Sequence, residues 1–65
     1  MPYDANQDLP ESVRHTLPEH AQSIFRKAFN SAFKEYGTEV QAFKVAWAAV
    51  KKIYQKDSSG KWVEK

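Results

Sequence analysis

Eight apolar side chains between Ala21 and Tyr36 constrain this chain more than anything else in it. Ala21, Ile24, Phe25, Ala28, Phe29, Ala32, Phe33 and Tyr36 recur at steps that alternate three and one. That spacing draws one continuous stripe down an α-helix and cannot be laid on one face of a strand. A helix so striped must bury its stripe. The chain has 65 residues and no cysteine, so neither a disulfide nor a thiolate metal site can hold it together. Apolar packing within one small domain, residues 1–65, has to do so. Aromatic residues are 14% of the chain and its net charge is only +2, a balance that suits a folded domain and not a disordered one.

The ends of the helices are marked as clearly as the stripe. Asp8-Leu9-Pro10-Glu11 and Thr16-Leu17-Pro18-Glu19 each place an oxygen acceptor, then Pro, then Glu three residues on, the pattern of a capped helix start. Thr38 followed by Gln41 gives a third start. Three starts predict three helices: a short one over about 9–15, and long ones over about 17–36 and 39–55. Gly37 falls where a left-handed helix end is needed, and with Thr38 it leaves only a two-residue link, so the long helices form a hairpin. The expected outward side of the second helix carries Ser23, Lys27, Asn30 and Lys34.

The third helix has a wider apolar arc. Phe43, Ala46, Trp47, Val50, Ile53 and Tyr54 form its stripe, and Ala42, Val45 and Ala49 extend it, which predicts a second packing partner. Lys56-Asp57-Ser58-Ser59-Gly60 reads as a turn. Trp62 then lies three residues from the end, and Tyr3 lies in an extended segment at the other end. The expectation is a mainly α fold in which the two termini pair as a short two-stranded ribbon, docked at the Ala42, Val45 and Ala49 surface. Phe25, Phe29, Phe33, Phe43, Trp47, Val50 and Tyr54 are expected in one core cluster.

Catalytic patterns are missing. There is no cysteine nucleophile, no serine in a Gly-x-Ser-x-Gly setting and no phosphate loop, since Gly37 and Gly60 are the only glycines. His15 and His20 are five apart and do not share a helical face as zinc ligands at i and i+4 would; His15 with Glu19 is at best a weak metal pair. No enzyme, cofactor or metal is expected. The longest apolar run, Val45 to Val50, is far short of the roughly 20 residues that span a membrane, and the N-terminus lacks a signal-peptide pattern. A cytoplasmic monomer is the expectation.

Charge is distributed unevenly. From Lys34 onward there are seven basic and four acidic residues; before it there are three and four. Lys44, Lys51, Lys52 and Lys56 follow Glu39 along the third helix, an order the helix dipole favours and one that also offers a basic face to an anionic partner, nucleic acid or an acidic protein surface. Lys27 and Lys34 flanking Asn30 form a second candidate patch. Asn30-Ser31 are poor helix formers in mid-helix, which suits either a solvated face or a recognition residue.

Asp8 to Val13, Leu17 to Gln22, Ala28 to Ala32, Lys44 to Lys51 and the closing Gly60-Lys61-Trp62, with Met1-Pro2-Tyr3, together resemble the ChaB family, small proteins described as cation transport regulators. The resemblance runs nearly the whole length. It implies three helices with a small terminal sheet, no catalytic residues and a regulatory role beside a sodium/calcium–proton antiporter; viral relatives are associated with nucleic acid. Longer members carry an acidic insertion between the second and third helices, where this chain has only Gly37-Thr38.

Overall fold

The computed structural model describes residues 3–65; Met1 and Pro2, part of the N-terminal segment expected in the ribbon, lie outside them. A 3-10 turn over Asn6–Asp8 leads into α1 (Glu11–Thr16), α2 (Glu19–Tyr36) and α3 (Glu39–Ile53), and the chain closes with strands β1 (Tyr54–Lys56) and β2 (Trp62–Glu64). The three helices stand where the start signals put them, with shifted first turns. Pro10 and Pro18 are themselves the N-caps of α1 and α2, and Asp8 and Thr16 are not. The reason is steric. A residue before proline is held out of helical geometry, and Leu9 (ψ 153°) and Leu17 (ψ 140°) are extended accordingly. Asp8 instead accepts the Ala5 N–H within the 3-10 turn, 3.1 Å away, and the Thr16 hydroxyl donates to the Ser12 carbonyl.

Gly37 takes φ 76° and its N–H reaches the Phe33 carbonyl at 2.8 Å, which ends α2. Thr38 is the N-cap of α3, through its backbone carbonyl alone. The hairpin of α2 and α3 frames one core. Phe25, Phe29, Val50 and Tyr54 are buried in it together with Leu9, Val13 and Leu17, while Phe33, Phe43 and Trp47 pack against it half-buried. Rings meet across the hairpin: Phe29 to Phe43 at 4.9 Å and Phe25 to Trp47 at 5.1 Å, both edge to face. Such geometry suits the ring quadrupoles. Two stripe positions are corrected. Tyr36 and Ile53 are exposed, because Tyr36 ends α2 at the hairpin tip and the chain turns from helix to strand after Ile53. The period then drops from 3.6 to 2, and Tyr54 turns inward.

The ribbon is also corrected. It exists, but β2 pairs antiparallel with β1, Tyr54 opposite Glu64, Gln55 opposite Val63 and Lys56 opposite Trp62, and not with the segment around Tyr3. Closing residues 57–61 costs far less chain entropy than bringing the two termini together. Asp57 pins that turn. One of its carboxylate oxygens accepts the Ser59 N–H at 2.9 Å, the Ser59 hydroxyl at 2.7 Å and the Lys61 N–H at 2.9 Å. Trp62 does return to the core, but onto Trp47, 5.9 Å between ring centroids, on the other flank of α3 from Ala42 and Val45.

Candidate binding groove

The N-terminal segment occupies a polar flank of α2 that the sequence assigned to solvent. Asn30 donates from Nδ2 to the Tyr3 carbonyl at 2.8 Å and accepts the Tyr3 N–H on Oδ1 at 2.7 Å. One turn earlier, Arg26 Nε donates to Asn6 Oδ1 at 2.9 Å, and Asn6 Nδ2 donates to Ser23 Oγ at 3.0 Å. Ser23, Arg26 and Asn30 lie at helical spacing, so they strap the segment down over two turns. The Tyr3 ring covers Phe29 at 4.8 Å. Asn30 is thus corrected from an outward residue to a half-buried clamp: an amide is the side chain that matches both polar groups of a peptide unit.

The lysines behave differently. Lys27, Lys34, Lys44, Lys51 and Lys52 are all exposed. Lys27 and Lys34 are seven apart on α2, Lys44 and Lys51 seven apart on α3, so each pair lies on one line; Lys52 sits about 80° round from Lys44. Lys56 is not on the helix. It stands on β1 as the cross-strand neighbour of Trp62, with Nζ 5.7 Å from that ring's centre. The structure therefore separates Lys56 from the other three and gives it a second setting.

That setting is an open groove of about 650 Å³. One wall is the α1–α2 corner, His15, Thr16, Leu17 and Pro18; the other is the turn end of the ribbon, Lys56, Gly60, Lys61 and Trp62. The corner is rigid because the Gln22 side-chain amide donates to the carbonyls of Arg14 and Leu17, at 3.1 and 2.9 Å, closing the end of α1. His15 turns to Glu11, one helical turn back, at 3.2 Å, and not to Glu19. Nearby the Tyr54 hydroxyl meets His20 Nδ1 at 3.0 Å and holds β1 to the start of α2. Burial, then the charge of Glu64, pushes the Tyr54 phenol above its usual 10.0. The hydrogen bond from the Ser59 hydroxyl, then that from the Lys61 N–H, holds the Asp57 carboxyl below its usual 3.8. The indole nitrogen of Trp62 is buried without a hydrogen-bond partner among the described residues, a rare condition for a polar group in a folded protein. Lys61 was not singled out from the sequence as a binding residue, and His15 only as a weak metal pair with Glu19. The only signal there was the isolated Trp62, which implied a docked tail but not what the tail would face.

These elements define a class: a small, mainly α domain of three helices closed by a C-terminal ribbon. Within it the chain belongs to the ChaB family, whose model matches residues 9–65. It is 49% identical to the Escherichia coli K12 protein named "Putative cation transport regulator ChaB", over all of this chain and 99% of that one. The alignment spans 75 positions, ten more than this chain has residues. A solution NMR structure of a ChaB protein, also 49% identical, superposes with a TM-score of 0.87 over 98% of this chain and 99% of the other. A 10.9 kDa protein of Lymantria dispar multicapsid nuclear polyhedrosis virus is 38% identical over 86% of this chain and 57% of its own length. Among the described residues no helix is long and apolar enough to cross a membrane.

Proposed function

We propose that this chain is a non-enzymatic cytoplasmic regulator of cation transport that acts by docking on a protein partner, a sodium/calcium–proton antiporter. The observation that supports this is the end-to-end match to relatives bearing the regulator name. The test uses inverted membrane vesicles containing the antiporter. Purified protein should change the initial rate of cation-driven proton movement, saturably with its concentration. An unchanged rate at large molar excess would overturn the proposal.

A second reading draws on the exposed lysines. Lys44, Lys51 and Lys52 have no ion-pair partner among the described residues and leave a basic surface on α3 suited to nucleic acid, with Lys56 apart from it on β1; Lys27 and Lys34 form the smaller patch. Binding would weaken steeply with salt as counterions are released. Replacing Lys44, Lys51, Lys52 and Lys56 by Gln would abolish it with the helical signal intact. No binding of the parent protein to duplex or single strands at low salt removes this reading.

A further inference from the structure

We infer that the groove between the α1–α2 corner and the ribbon receives an acidic, extended segment of the partner protein, its carboxylates on Lys56 and Lys61 and an apolar side chain against Pro18 and Trp62; this rests on the docking reading above and names its chemistry. Charge is the first support. Lys56 and Lys61 are exposed on one wall, and no carboxylate is among the residues that line the groove; Asp57, next to Lys56, is turned to three donors of its own turn. The groove thus presents two exposed ammonium groups, Lys61 lying near the Asp57 carboxylate and Lys56 beside Trp62, and an acidic occupant complements them. The second support is the Trp62 N–H, a buried donor without an acceptor among the described residues. Lys56 lies over that ring, so a carboxylate drawn to Lys56 arrives beside the indole. The third is shape. Exposed Pro18 and half-buried Trp62 beside two cations suit alternating apolar and acidic side chains. A nucleic acid fits less well, since stacking needs an open ring face and Trp62 already shares its ring with Trp47 and Lys56.

The experiment is an NMR titration of the full 15N-labelled chain with a synthetic peptide of alternating glutamate and leucine. A glutamine–leucine peptide and a single-stranded oligonucleotide serve as comparisons. The Trp62 indole resonance should move saturably with the glutamate peptide, which should bind at least tenfold more tightly than the glutamine peptide. Lys56→Gln with Lys61→Gln should lower that affinity at least tenfold without changing the melting temperature, while Lys44→Gln with Lys51→Gln should leave it unchanged. No saturable movement of Trp62 at millimolar peptide, equal binding of the glutamine peptide, or tighter binding of the oligonucleotide at the same resonances would overturn the inference. The vesicle assay separates this from the regulatory proposal. Peptide binding with no effect on transport would leave the groove assigned and remove the regulator. Transport that responds equally to the parent chain and to the Lys56→Gln, Lys61→Gln variant would keep the regulator and remove the groove.

Discussion

At the scale of single residues, Asn30 shows how a sequence can flag a position without revealing its use. A poor helix former in mid-helix was visible as an oddity. Its partner, the backbone of Tyr3, lies 27 positions away, and no local pattern encodes a contact of that range. Helical periodicity put Asn30 on the polar side; the N-terminal segment then covered part of that side. Two half-buried hydrogen bonds depend on it, so Asn30→Ala should destabilise the fold by about 1–3 kcal/mol in denaturant titration. Asn30→Asp should be worse at neutral pH, since a carboxylate oxygen then faces the Tyr3 carbonyl. The introduced carboxyl can donate to that carbonyl only when protonated, so its folded pKa is raised. The stabilisation it gives is therefore present at low pH and lost as pH rises through that value. Relative to Asn30→Ala, Asn30→Asp should gain stability between neutral pH and about pH 4. A constant difference between the two variants across that range would show that the clamp contributes nothing.

At the scale of elements, the helices were legible because each depends on neighbours within one turn: stripe, proline, glycine. The same proline sterics that signalled the starts also moved them, since Leu9 and Leu17 cannot be helical before Pro10 and Pro18. The ribbon was half legible. Trp62 required a docked tail, but its strand partner was decided by loop closure and by Asp57, whose turn chemistry looked like an ordinary loop. With its folded pKa held low, Asp57 stabilises the ribbon above its unfolded value near 3.8 and ceases to do so as pH falls through the folded value. Fluorescence of the tryptophans should therefore report ribbon loosening at acid pH. Asp57→Asn, which keeps acceptors but cannot titrate, should remove that transition; an unchanged acid transition in the variant would assign it elsewhere. Deleting Lys61 to Lys65 removes Trp62 from Trp47 and should lower the melting temperature by about 4–8 °C per kcal/mol lost. Because Tyr3 is held by Asn30 and not by the tail, its amide should stay protected from hydrogen exchange in the truncated chain. Loss of that protection would mean that the two ends are coupled after all.

At the scale of the whole molecule, Phe25, Phe29 and Val50 are the largest fully buried side chains among the described residues of a domain only 15 Å across its thinnest axis. The groove was illegible in the sequence for the same reason that the core was legible. A core is made by periodic stripes, whereas the groove is made where a helix corner and a ribbon, 40 residues apart in the chain, happen to stop short of each other. Both depend on the same packing, because α1, α2 and β1 are positioned by the cluster that Phe29 centres. Its ring meets Tyr3, Phe25, Phe33 and Phe43 within 6.4 Å, linking the N-terminal segment to both long helices. Removing a buried Phe side chain costs about 3–5 kcal/mol. Native domains hold about 0.05–0.15 kcal/mol per residue, so for a chain this short the loss takes from about a third of the stability to all of it. Phe29→Ala should therefore lower the denaturant midpoint by about a third or more. Phe33→Ala, at a half-buried position touching Phe29 alone among the ring pairs, should cost distinctly less and keep a cooperative transition. If Phe29→Ala instead loses under 1 kcal/mol, the hairpin does not pack through this ring, and neither the N-terminal strap nor the groove walls owe their positions to it.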